Sequence, residues 1–219
     1  DQLHISPLKE GISHSDKTVY VSQTLLNQAI SYVGYFHFND IVREHNKNGK
    51  LLGILNGIDE EFHPCKLTGN GDYWDKDDSI SKNKYIAKQR TCTLITDALL
   101  SDETSETEKD IFRYKNLDCD KNWTLFIGRF SEEKGINRLE DAIECTLENA
   151  NVFIVMGLYS GGPEDRTIEW LSEKYRNNPN VIILHEKNYH IQKKYGHLIR
   201  FASDITFIPS HRESAGLVS

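Results

Sequence analysis

Beyond residue 121 the chain alternates short apolar runs with stretches of helical periodicity. The runs at 124–127, 152–156, 181–184 and 205–208 are short and mostly apolar, as in strands buried on both faces. Between them, apolar positions recur at helical spacing over 137–149, 164–177 and 190–202. This rhythm predicts an α/β fold with a Rossmann-like parallel sheet and helices on both faces. Upstream, Thr18–Val21 reads as a strand, followed by a helix through Leu25, Leu26 and Ala29 with Ser22 as its N-cap. Residues 37–48 read as a helix ending in the polar run Asn46-Lys47-Asn48-Gly49, and Leu51–Leu55 reads as a strand closed by Asn56-Gly57. A helix is expected over 82–100, with Tyr85, Ile86, Leu94 and Ile95 as candidate buried positions.

Two segments lack apolar anchors. Residues 66–80 are rich in Gly, Asn, Asp and Ser and predict a surface loop. Residues 101–110 carry five acids and one base and predict a flexible, solvated insertion.

The chemistry concentrates where a strand pattern gives way to a helix. Phe126-Ile-Gly-Arg-Phe-Ser-Glu-Glu-Lys-Gly135 runs from an apolar segment into a glycine turn with two cations, Arg129 and Lys134, before a helical pattern starts near Ile136. Such strand–turn–helix junctions set charged groups at the carboxyl edge of a sheet, where α/β proteins bind ligands. The arginine fork and the lysine point charge suit a diphosphate; the alternative is two solvated cations on an ordinary loop. A second cluster, from Ala202-Ser203-Asp204 through Pro209 to Glu213-Ser214-Ala215-Gly216-Leu217, sets a carboxylate just before a glycine that could open a helix. Backbone N–H groups there favour phosphate, while Glu213 could accept from sugar hydroxyls, hold Lys134, or simply complement the helix dipole.

Composition bounds the remaining options. The chain has 219 residues, 38% hydrophobic and 27% charged, with a net charge of −7. That charge argues against a nucleic-acid binder or an acidic-membrane binder, and no apolar run approaches the length of a membrane span. Cys65, Cys92, Cys119 and Cys145 form no CxxC pair and no zinc spacing, so reduced thiols in the cytoplasm or another reducing compartment are expected, with paired disulfides as the alternative. The N-terminal residues show no signal-peptide pattern.

Four segments together resemble the retaining GT-B glycosyltransferases, nearest to bacterial glycogen and plant starch synthases. Leu51-Leu-Gly-Ile-Leu-Asn-Gly-Ile-Asp59 followed by Phe62-His63-Pro64 resembles that family's GILNGID segment. Phe126–Gly135 resembles its GR…QKG segment, with Glu133 in place of Gln. Gly196–Leu217 resembles the segment ending in PSRFEPCGL, with Ala215 in place of Cys and His211 in place of Arg. Residues 8–24 resemble its stretch ending in Val-Ser-x-Thr.

The resemblance implies a GT-B fold. Residues 1–49 would end an acceptor-side domain, and residues 50–219 would form the nucleotide-sugar-binding domain, with flexible insertions near 66–80 and 101–110. The family's Lys-x-Gly-Gly motif is absent and the second Glu of its E-x7-E pattern would fall past the last residue, so a piece from the middle of a longer protein is expected. Arg129, Lys134 and Glu213 would be catalytic; Gly128, Tyr189, Ser214, Ala215, Gly216 and Leu217 would bind the donor, with Tyr189 against the nucleobase. Asn56 and Asp59 would be structural, and His211 has no assigned role.

The implied reaction is hexose transfer from an ADP-, UDP- or GDP-hexose, with no metal or other cofactor, to a growing α-glucan. The alternatives are a relative with a protein or other non-glucan acceptor, using GDP-mannose or UDP-glucose, and a catalytically weak interaction module.

Overall fold

The computed structural model describes residues 7–31, 39–55, 78–100, 106–115, 117–186 and 189–211. They fall into two compact units, with residues 7–55 in the first and 78–211 in the second.

In the first unit, β1 (Thr18–Tyr20) pairs in parallel with β2 (Leu51–Gly53), Val19 opposite Leu52. Helices α1 (Pro7–His14), α2 (Gln23–Ser31) and α3 (Asn39–Lys47) complete it. Leu26, Ala29, Val42 and Leu51 form its core. Ser22 caps α2 as its sequence suggests: its Oγ accepts from Leu25 N–H at 3.0 Å. Gly53 lets β2 run against α2, since a Cβ there would lie 2.6 Å from Gln23 Cα. The boundary expected at residue 49 therefore falls later, because Leu51–Gly53 finds its strand partner in Thr18–Tyr20.

The second unit holds a four-stranded sheet: β3 (Trp123–Phe130), β4 (Val152–Tyr159), β5 (Val181–Leu184) and β6 (Ile205–Thr206). Its order is β5-β4-β3-β6, with every pair parallel. The strand side chains alternate between two cores. Trp123, Leu125, Ile154, Met156 and Ile182 pack with residues of α4 (Ile80–Leu100), α5 (Glu106–Phe112) and α8 (Tyr189–Ala202). Phe126, Phe130, Phe153, Val155 and Ile183 face α6 (Leu139–Glu148) and α7 (Glu164–Lys174), whose Leu139, Ile143, Ile168 and Leu171 are fully buried. Apolar side chains on both faces explain why the strand runs are nearly unbroken.

Three expectations change. The acidic stretch is not wholly irregular: residues 106–110 lie in α5, which Phe112 anchors at 1% exposure against Tyr195, with ring centroids 6.3 Å apart. Tyr85 is exposed at 43%, and Ala87 takes the buried position on α4 instead. Gly128 and Arg129 belong to β3 itself, opposite Gly157 and Leu158 of β4, so the turn begins only at Ser131. Residues 66–77 of the expected loop lie outside the described residues.

The sheet order has one functional consequence. From β3 the chain steps outward to β4 and then β5, and α8 brings it back to β6 on the other side of β3. The strand order reverses between β3 and β6, and at such a switch point the loops leaving the two strands part and open a crevice at their carboxyl ends.

Candidate functional site

The switch point brings together the loops after β3 and β6, some seventy residues apart in sequence. After Phe130 the chain makes two short 3-10 turns, Glu132–Lys134 and Ile136–Arg138, joined at Gly135. Gly135 sits in the left-handed region at φ 71°, and a Cβ there would lie 2.4 Å from Pro209 O. No other residue allows this backbone-to-backbone approach without displacement. His211 N–H donates to Glu133 O at 2.9 Å, so the two loops are joined by a main-chain bond two residues before Glu213. β6 itself is held in register by Asp204 N–H to Trp123 O (2.9 Å) and Phe207 N–H to Leu125 O (2.8 Å).

Arg129 is exposed near the carboxyl end of β3. Lys134 is half-buried and turns back over the strand, with its Cγ and Cδ each 3.9 Å from the position a Gly128 Cβ would occupy. The lysine stem thus lies beside Gly128, and both cations belong to the carboxyl edge of one strand. Facing Gly128, Gly157 passes so close that a Cβ would fall 2.6 Å from the Phe130 ring and against Gly128 O. Gly157 thus leaves room for Phe130, fully buried and stacked on Phe126 with centroids 6.5 Å apart.

Neighbouring loops brace the same edge. Ser160 Oγ donates to Phe130 O at 2.5 Å, and the Asp165 carboxylate accepts from Ser160 N–H (3.0 Å) and Gly161 N–H (2.8 Å). Gln192 Nε2 donates to Gly157 O (2.8 Å) and His185 O (3.0 Å), tying α8 to the ends of β4 and β5. His185 stacks on Tyr159 at 5.3 Å between centroids. Burial first, and then the nearby Glu169 carboxylate, push the Tyr159 phenol up to about 12, so it stays a neutral hydrogen-bond donor.

The sequence reading missed Gly157, Ser160 and Gln192, and placed Pro209 in the second cluster without foreseeing its contact with Gly135. Gly157 alone carried a signal, since glycine inside a strand marks a close approach of backbone or ring. Of the expected donor-binding residues, Tyr189 is the first residue of α8 rather than part of a loop. Glu213, Ser214, Ala215, Gly216 and Leu217 lie outside the described residues, as do Asn56 and Asp59. Among the described residues no group of three or more His, Cys, Asp or Glu side chains is placed to hold a metal ion, and no helix is long and apolar enough to cross a membrane.

Comparison with known proteins matches this architecture. Over its full length the chain is similar to glycogen synthases: 26% identical over 222 residues to that of Pasteurella multocida, covering 99% of this chain and 40% of the relative. The glycogen synthase of Chlamydia muridarum is 28% identical over 214 residues, covering 96% of this chain and 40% of the relative. The chain thus spans about two fifths of the length of the curated relatives it matches. Its fold is that of the catalytic domain of starch synthase IV from Arabidopsis thaliana, solved bound to ADP and acarbose. The TM-score is 0.71 and the identity 24%, over 98% of this chain and 38% of that one. The fold is therefore GT-B. Residues 107–219, more than half of the chain, match the family described as glycosyl transferases group 1, and the chain belongs to that family.

Proposed function

We propose that the whole protein is a retaining glycosyltransferase that moves a hexose from a nucleotide-diphosphate sugar, nearest in kind to the glycogen and starch synthases, onto an α-glucan. The observation that carries this reading is the seam at the switch point, where Gly135 meets Pro209 and His211 N–H bonds Glu133 O. It brings the cation-bearing turn and the segment leading to Glu213 to one sheet edge, in a family of sugar transferases. ADP and acarbose in the starch synthase neighbour support a nucleotide donor and a glucan acceptor.

In this reading Arg129 and Lys134 meet the donor diphosphate. As the anomeric C–O bond breaks, negative charge grows on the leaving nucleoside diphosphate, and cations fixed at that point stabilise the transition state more than the bound donor. Lys134 suits this role because it ends the short turn that directly follows β3, and its stem lies beside Gly128 at the same edge. The leaving phosphate takes the acceptor proton on the same face, which leaves the anomeric configuration unchanged and requires no pair of carboxylates. Glu213 orders Lys134 or binds sugar hydroxyls, the backbone from Ser214 to Leu217 meets phosphate, and Tyr189 lies by the base.

Thermal unfolding of the whole protein with ADP, UDP or GDP tests the reading. One of the three diphosphates raises the midpoint by several degrees at concentrations far above its Kd, and the shift is lost in Arg129→Ala. If none of the three shifts the midpoint at millimolar concentration, the donor assignment fails.

A further inference from the structure

Two of the cysteines that look unremarkable in the sequence meet in the fold. Cys92 lies on α4, and Cys119 lies in the turn that leads into β3, yet their sulfurs are 3.4 Å apart. Cys92 Sγ also donates to Leu117 O at 3.3 Å, so the thiol is aimed into the segment that carries its partner. Both thiols are partly buried and neither is bonded to another cysteine. Cys145 is exposed and on a different helix, α6.

We propose that Cys92 and Cys119 form a reversible disulfide that staples α4 to the entry of the central strand β3. Forming it requires the sulfurs to close from 3.4 Å to a bond of about 2 Å. The turn that carries Cys119 is already fixed: Trp123 Nε1 donates to Asp118 O at 3.0 Å, and Asp120 N–H to Asp118 Oδ1 at 2.9 Å. The sulfurs are therefore presented to each other by held backbone, not by a chance encounter of loops.

The oxidant is a low-molecular-weight disulfide. The Cys119 thiolate attacks one of its sulfurs, expels the other half as a thiol, and is left as a mixed disulfide. Cys92 then gives its proton to solvent, attacks the Cys119 sulfur and expels the second small thiol. The two protein thiols lose two electrons and two protons, and the small disulfide is reduced to two thiols. The order of attack follows from the surroundings. Burial, and the contact with Cys119 itself, push the Cys92 thiol up to about 12, so it is a poor first nucleophile. The staple joins positions 27 apart in sequence and closes a loop that contains α5.

The test is incubation of the reduced whole protein with oxidised glutathione, followed by acid quench and non-reducing peptide mapping. The expected product is a Cys92–Cys119 linked peptide lacking two hydrogens, with a rise in thermal midpoint of about 5–10 °C that dithiothreitol reverses. Cys119→Ser abolishes both, and Cys92→Ser stops at a glutathione adduct on Cys119. A wild-type protein that accumulates the adduct on Cys119 and never the linked peptide overturns the proposal, as does a link made instead through Cys65 or Cys145. The readout is covalent structure, so it stands or falls independently of the donor site.

Discussion

Lys88 Nζ lies 2.7 Å from Asp204 Oδ2, joining α4 to the residue immediately before β6. The lysine side chain is 8% exposed and the aspartate 23%. The ammonium also donates to Lys121 O at 2.7 Å and lies 5.9 Å from the centre of the Trp123 ring, while Asp204 Oδ2 accepts from Trp123 N–H at 2.8 Å. One carboxylate thus fixes β6 beside β3 at the amino edge of the sheet, opposite the edge that carries the cations.

Removing that carboxylate leaves a buried ammonium without its counter-charge. Asp204→Ala is expected to cost about 3 kcal/mol, because breaking a buried pair from one side leaves the other charge uncompensated. Lys88→Met should cost less, since it leaves Asp204 with its backbone donor and more solvent. Urea unfolding of the two variants checks the order, and equal losses would contradict it.

The seam at the switch point predicts a ranking of glycine substitutions. Gly135→Ala combines a left-handed backbone with a clash against Pro209 O and should cost about 2–4 kcal/mol. Gly161→Ala meets only the backbone term, since nothing lies within 4 Å of its Cβ position at φ 80°, and should cost about 1 kcal/mol. Gly128→Ala finds ordinary contacts at 3.6 Å and beyond, and should change stability by less than about 1 kcal/mol. Thermal midpoints of the three variants give the ranking.

In the whole protein, Arg129→Ala and Lys134→Ala should each lower transfer by a factor on the order of 10²–10³, mainly in kcat. In the proposed reaction, charge on the leaving diphosphate grows as the bond to the sugar breaks. His211→Ala should do far less, because the contact it makes to the neighbouring loop is through its backbone N–H, which alanine keeps. Steady-state kinetics that show the loss only in the donor KM would remove the transition-state role.

Lys115 gives a pH signature. Its ammonium donates to the carbonyls of Tyr175 (3.2 Å), Arg176 (2.9 Å) and Asn178 (2.9 Å) just past the end of α7. Burial pulls its pKa down from 10.5 to about 8. Below about 8 it is protonated both folded and unfolded, and the folded state bears the full cost of burying the charge. Between about 8 and 10.5 the unfolded chain holds more protons, so this group's contribution to stability rises with pH. Wild type should gain on Lys115→Met across that window in urea unfolding, and parallel pH curves would exclude the shift.

The sequence by itself determined the element types and the chemistry-bearing segments. Short apolar runs such as Val152–Met156, set between stretches of helical periodicity, read as strands covered on both faces, Ser22 reads as a local cap, and Phe126–Gly135 reads as a strand, a turn and two cations. These are readable because they depend on neighbours a few residues away. Tertiary structure alone decided the rest. Leu51–Gly53 reads as a strand in either unit, and only its pairing with Thr18–Tyr20 assigns it. Residues 106–110 read as a solvated run until Phe112 finds Tyr195 and draws the segment into a helix. The strand order that reverses between β3 and β6, the approach of Gly135 to Pro209, and the meeting of Cys92 with Cys119 all join positions far apart along the chain. No local pattern encodes such contacts, because they follow from how both faces of the whole sheet are packed.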